Sequence, residues 1–161
     1  MDIIVLGGTV TSVELTSGVE RAVTDVVSMM LNYQPMIVPY QSTQIDTALS
    51  AIVGFGGKMP GFLALHLGAE SACTLASALL GMSFEGIDDI VTDAMGELVN
   101  MLAGGLKKNL SQNEELFRIS VPSVILGKDY STHAPIGSQQ LLLGVQAGPC
   151  LFTVQLVVAP S

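Results

Sequence analysis

The chain has no tryptophan, two cysteines, two histidines, and only six lysines and arginines against fourteen aspartates and glutamates. Each shortage excludes something. A net charge of −8 leaves no basic face for nucleic acid and disfavours an anionic membrane surface. Cys73 and Cys150 lie far apart without a CxxC, so neither a disulfide framework nor a zinc motif is in view, and two buried thiols are expected. His66 and His133 lack companions at ligand spacing, so no metal site is expected. No apolar run approaches the ~18 residues of a membrane span. The start "MDIIVLGGTV" is acidic, and its apolar stretch is too short for a signal peptide. A cytoplasmic protein is the expectation. Only 12% of residues are charged and 49% are hydrophobic, which excludes a disordered chain.

What is present is a patterned core. At 161 residues, one domain spanning 1–161 is expected. Residues 2–6 read as a strand closed by Gly7-Gly8. Ser17-Gly18-Val19-Glu20 fits a capping box, and valines at helical spacing follow toward a stop near Asn32, ahead of Pro35. Residues 36–41, 47–55 and 62–67 read as strands, with "GGKMPG" as a turn. Ala69 to Leu80 reads as a helix stopped by Gly81, and a longer helix covers about 86–110. Residues 117–126 read as extended, and 139–146 with 150–158 as a hairpin around "AGP".

The two halves resemble one another. Ile52-Val53-Gly54-Phe55 parallels Leu142-Leu143-Gly144-Val145, and Phe62 to Leu67 parallels Leu151 to Leu156 after a one-residue gap. The fold expected is a two-layer α/β (α+β) sandwich with a pseudo-twofold repeat. A largely antiparallel sheet would be covered by two long helices and a shorter one.

The long helix, "GELVNMLAGGLKKNL" in its later part, carries the chemistry. On a wheel of about 100° per residue, Val91, Met95, Leu98, Val99, Leu102, Leu106 and Leu110 form the core stripe. Asp93, Glu97, Asn100, Gly104, Lys107 and Lys108 fall on the other side. Glu97 and Asn100, about 60° apart, project together. Alone, such a pair is ordinary decoration of a solvated face. Gly104 and Gly105 each cost up to about 1 kcal/mol relative to Ala, and a missing side chain one turn beyond Asn100 leaves room for another backbone. A carboxylate and an amide make no standard nucleophilic site. They can position a water and pair with a lysine, which is nearly all that hydrolysis of a reactive phosphoryl group asks.

"DAMGELVNMLAGGLKKNL" resembles the signature helix of the CheX/CheC/FliY chemotaxis phosphatases: an acidic residue, two spacers and Asn, then a small-residue step. The likeness extends in pattern over most of the chain and is greatest to the single-site CheX type. It implies a phosphatase acting on the aspartyl phosphate of a CheY-type receiver domain, in chemotaxis or another two-component pathway. Asn100 would orient the attacking water, and Glu97 would contact the receiver lysine. Asp93, Met101, Gly104 and Lys108 are the candidate docking residues around them. The resemblance implies no cofactor on this chain, Mg²⁺ on the receiver's carboxylates, and a homodimer. Two-site relatives repeat the motif on the first helix. Here Glu20 is followed three on by Val23, and Asp25 by Ser28, so one site per chain is expected. Relatives often have Gly-Asn where Gly104-Gly105 stands, which bears on docking geometry.

Two rival readings remain. The same fold could bind a receiver or a flagellar switch protein without hydrolysis. A nucleotide site is the other, but "VLGGTVTS" and "GFGGKMPG" complete neither G-x-G-x-x-G into a helix nor a P-loop, and tight turns account for them.

Overall fold

The computed structural model describes residues 2–5, 8–40, 46–110, 116–128, 130 and 133–160. Strand β1 (Asp2–Val5) pairs antiparallel with β2 (Gly8–Thr11), so the expected first strand is one arm of a hairpin; Gly7 lies outside the described residues. Helix α1 (Ser12–Met30) follows directly. Its capping box is Thr11 with Glu14, six residues ahead of the expected Ser17 and Glu20. The Glu14 amide donates to Thr11 Oγ1 at 3.1 Å, and the Thr11 amide donates to Glu14 Oε2 at 2.8 Å. Both T-x-x-E and S-x-x-E fit the local rule, and the earlier one prevails because Leu15, already inside the helix, is buried. The helix stops as expected, with Asn32 in the left-handed region at φ 56°.

Then come β3 (Pro35–Val38), β4 (Leu49–Gly56) and β5 (Gly61–Leu67), followed by α2 (Ala69–Leu80), which Gly81 ends at φ 70°. The second long helix, α3, spans Asp89–Leu110. It begins three residues later than expected because Asp88 stands before it as a cap, accepting the Val91 amide at 2.9 Å. The extended segment after it is split into β6 (Arg118–Ile119) and β7 (Ser123–Leu126), and β8 (Gln139–Ala147) with β9 (Cys150–Val158) closes the chain.

All pairings are antiparallel, in the order β3-β8-β9-β5-β4, with β6 and β7 both on the outer side of β4. Alternate residues of the central strands, such as Leu49, Ala51, Val53, Leu63, Leu65, Val154 and Leu156, are buried on one face under α1, α2 and α3.

The register exposes the internal repeat. In the central β5–β9 pair, His66 faces Thr153, Leu65 faces Val154 and Ala64 faces Gln155. Matching Phe62–Leu67 to Leu151–Leu156 therefore exchanges the two strands about the Leu65–Val154 pair. The outer strands obey the same axis with one correction. Ala64 pairs with Ile52 and its counterpart Thr153 with Gly144, so Ile52 corresponds to Gly144 rather than Leu142. A slip of two keeps every residue on its face, so periodicity could not reveal it. The halves are interlocked: β3 lies beside the second hairpin, and β6 and β7 beside the first.

Candidate functional site

Burial on α3 follows the expected wheel. Val91, Met95, Leu98, Val99, Leu102 and Leu106 are at most 2% exposed, and Leu110 packs partly buried at their end. The opposite face carries Ile90, Asp93, Glu97, Gly104 and Lys108, all exposed, with Asn100 half-buried in line with them. The spacing of three and four residues sets these positions in one stripe along the helix. The pair Glu97 and Asn100 is thus held on a rigid element, and among the described residues neither side chain has a hydrogen bond or ion pair. Met101, half-buried, packs against the core edge and borders the stripe. Lys107, which the wheel put with the polar face, is half-buried on its flank.

The two glycines do different things. Gly104 is exposed, and a Cβ there would meet nothing within 4 Å. It is the bare step one turn beyond Asn100. Gly105 does not belong to that face: a Cβ on it would stand 3.2 Å from the Cβ of Ala22, so it is where α1 crosses α3 closely. Gly18 of α1 answers it, lying under Leu106 and Leu110, and its carbonyl accepts Asn109 Nδ2 at 3.0 Å. This crossing fixes α3 and with it the pitch of the Glu97–Asn100 stripe.

The other flank of α3 rests on the β6–β7 segment. Gly96 is buried, one turn before Asn100, with Val124 Cγ2 3.6 Å and Pro122 Cβ and Cγ 3.8 Å from where its Cβ would be. The neighbouring Val121 is 84% exposed. The sequence offered no signal for this placement.

Cys73 and Cys150 are free and buried, as expected. Burial is the main cause that pushes both thiols above their usual range; Asp88 adds to this at Cys73 and Glu70 at Cys150, where a hydrogen bond with Thr74 works the other way. His66 is part of a structural relay on the sheet face away from the helices. Its Nε2 lies 2.8 Å from Gln155 Oε1 and its Nδ1 2.6 Å from Ser50 Oγ, which also meets the Tyr130 hydroxyl. Because an amide oxygen only accepts, Nε2 donates to Gln155. Among the described residues no three His, Cys, Asp or Glu side chains converge on a possible metal position, and no helix is long and apolar enough to cross a membrane.

The family model described as chemotaxis phosphatase CheX matches residues 49–146, a stretch that includes all of α3. A curated relative, the CheY-P phosphatase CheX of Thermotoga maritima, is 32% identical over 87 residues, covering 53% of this chain and 56% of that protein. The match thus spans little more than half of that relative's length. Among solved structures, a chemotaxis protein CheX from Vibrio vulnificus superposes with a TM-score of 0.78 at 18% identity, over 90% of this chain and 96% of that one. A CheX from Borrelia burgdorferi, solved in complex with CheY, BeF3 and Mg, gives a TM-score of 0.74 at 20% identity, over 90% and 97%. At such identities the superpositions establish the fold.

Proposed function

The chain belongs to the chemotaxis phosphatase CheX family, and on that footing we propose that it hydrolyses the aspartyl phosphate of a CheY-type receiver domain, with Asn100 and Glu97 as its two working side chains. The observation that carries the reading is the pair itself. An exposed carboxylate and a half-buried amide stand three residues apart on the solvent side of a helix whose other faces are fully packed, with the bare Gly104 next along the stripe.

The chemistry asks little of this chain. An acyl phosphate is already activated. Water attacks phosphorus in line, the bond from phosphorus to the aspartyl oxygen breaks, and the products are a carboxylate, inorganic phosphate and a proton released to solvent. Most of the barrier is met by position and charge. A carboxamide offers an acceptor and two donors and carries no charge to repel a phosphoryl group, so Asn100 suits the water-orienting role. Glu97, one turn back on the same stripe, is placed to meet the receiver's lysine, and that ion pair would set register. Asp93, Met101, Gly104 and Lys108 surround the pair and would meet the receiver's rim. In this reading Mg²⁺ sits on the receiver's carboxylates and this chain contributes no cofactor. That the CheX of Borrelia burgdorferi was solved with CheY, BeF3 and Mg supports the choice of partner. The same resemblance suggests a cytoplasmic homodimer, for which light scattering should return twice the protomer mass.

The test is a screen of phosphorylated receivers from the same genome, with Mg²⁺, for phosphate release. At least one receiver should lose phosphate much faster with the chain than alone. No acceleration across all of them would leave a receiver-binding module and end the enzyme reading.

A further inference from the structure

Val121 is an apolar, β-branched residue left 84% exposed beside the candidate site, and the chain is built to put it there. Strand β4 pairs Phe55 with Ile119 and Ile52 with Ser123. Two residues of β4, Val53 and Gly54, therefore face three, Ser120 to Pro122, and the extra residue is a β-bulge. Ser120 closes the bulge. Its amide donates to the Gly54 carbonyl at 2.9 Å, its hydroxyl oxygen accepts the Gly54 amide at 2.9 Å, and that hydroxyl donates to the Val121 carbonyl at 3.2 Å. Gly54 makes room: a Cβ there would stand 3.3 Å from Ser120 Oγ. On the far side of Val121, Pro122 packs against Gly96 of α3. Gly96 and Asn100 lie on one flank of the helix, about 40° apart. A bulge pinned at both ends beside a functional side chain is a common way to aim a neighbour.

We propose that the Ser120–Pro122 bulge is a docking ledge for the phosphorylated receiver and that Val121 is its apolar anchor, which selects and positions the partner without touching the phosphoryl group. The inference rests on the receiver reading given above. Its occupant follows from position: a body that seats a phosphoryl group against Asn100 must cover the flank one turn away, where Pro122 packs against Gly96 and its neighbour Val121 is exposed. Val121 also adds to the apolar surface that Ile90 and Met101 give a stripe otherwise made of Asp93, Glu97 and Lys108, and the centres of interfaces are depleted of charge.

The experiment is a binding titration with a receiver from the same genome activated by BeF3⁻ and Mg²⁺, alongside turnover of its phosphorylated form. Wild type is compared with Val121→Ser, Val121→Asp, Asn100→Ala and Met29→Asp, the last adding the same charge at an α1 residue that is 80% exposed. Both Val121 variants should unfold at the wild-type temperature. Val121→Asp should weaken binding by about tenfold or more and Val121→Ser by less, raising KM with kcat unchanged, while Met29→Asp binds as wild type. Wild-type binding by Val121→Asp overturns the ledge, as does an equal loss in Met29→Asp or the absence of any receiver that binds wild type. The catalytic assignment fails separately, through full turnover in Asn100→Ala.

Discussion

Gly104 and Gly105 are adjacent, identical and doing unrelated work. The open space around Gly104 means that Gly104→Ala should raise stability by up to about 1 kcal/mol, read as a shift in the denaturation midpoint. A long side chain at the same position, as in Gly104→Arg, should leave the fold intact and weaken receiver binding. Gly105→Leu should instead cost about 1–3 kcal/mol, because its Cβ already lies at contact with Ala22. If Gly105→Leu proved neutral, the close helix crossing would be wrong. The wheel put both glycines near the polar face because Gly105 is only about 80° from Glu97. Which side α1 approaches from is a tertiary fact, and no residue of α3 announces it. The buried cysteines were legible, and they carry a pH dependence. The folded state holds each thiol's proton above its usual range, so the stability involved is complete below the unfolded thiol pKa and lost as pH rises through the folded value. Thermal unfolding followed from about pH 8 to 10.5 should show a fall above about pH 9 that is shallower in Cys73→Ala. An identical fall in that variant would remove Cys73 from the account.

At the scale of elements, α1 repeats α3. Ala22 and Gly105 are a pair where the two helices cross, and exchanging them as Leu65 and Val154 exchange in the sheet aligns α1 with α3. That correspondence places Glu14 on Glu97, Leu15 on Leu98, Ser17 on Asn100 and Arg21 on Gly104. The candidate site therefore has a silent twin. Ser17 offers a hydroxyl where Asn100 has an amide, Arg21 stands where Gly104 is bare, and Glu14 is held by the Thr11 amide. A single site per chain is expected for these reasons, which differ from the spacings at Glu20 and Asp25 that suggested it in the sequence. Ser17→Ala should keep wild-type turnover. Thr11→Ala should cost about 1 kcal/mol of stability, the usual worth of an N-cap, with turnover unchanged. A large loss of turnover in Ser17→Ala would mean that the twin is a working site. The helix starts were the least legible boundaries, since two S/T-x-x-E patterns, Thr11–Glu14 and Ser17–Glu20, lie close together around the start of α1 and only burial of Leu15 chooses between them. The bulge between β6 and β7 was invisible for the same kind of reason: it is set by pairing to β4, far away in the chain.

For the whole molecule, hydrophobic periodicity carried most of the architecture. The apolar runs at β4, β5, β8 and β9 gave the strands, and the 3.6-residue stripe on α3 gave the helix face that covers the sheet. The two hairpins betrayed the repeat. The interlocking of the halves stayed hidden, because strand order depends on which edge a segment joins and not on its own pattern. The candidate site was half legible: Glu97 and Asn100 are where the wheel put them, while the exposure of Val121 and the packing role of Gly105 emerged only with the neighbours in place. The fold's contribution to the proposed chemistry is rigidity. The core stripe on one side, the α1 crossing on another and the Pro122 contact on a third leave α3 one free face, and that face holds the pair.

The most direct test of the central claim is the rate of phosphate loss from a phosphorylated receiver, with saturating Mg²⁺, in the presence of wild type and of Asn100→Ala. On the proposal that Asn100 orients the water, its removal should lower kcat by about 10²-fold or more, with binding of the BeF3⁻-activated receiver retained. An Asn100→Ala chain that dephosphorylates the receiver at the wild-type rate would contradict it.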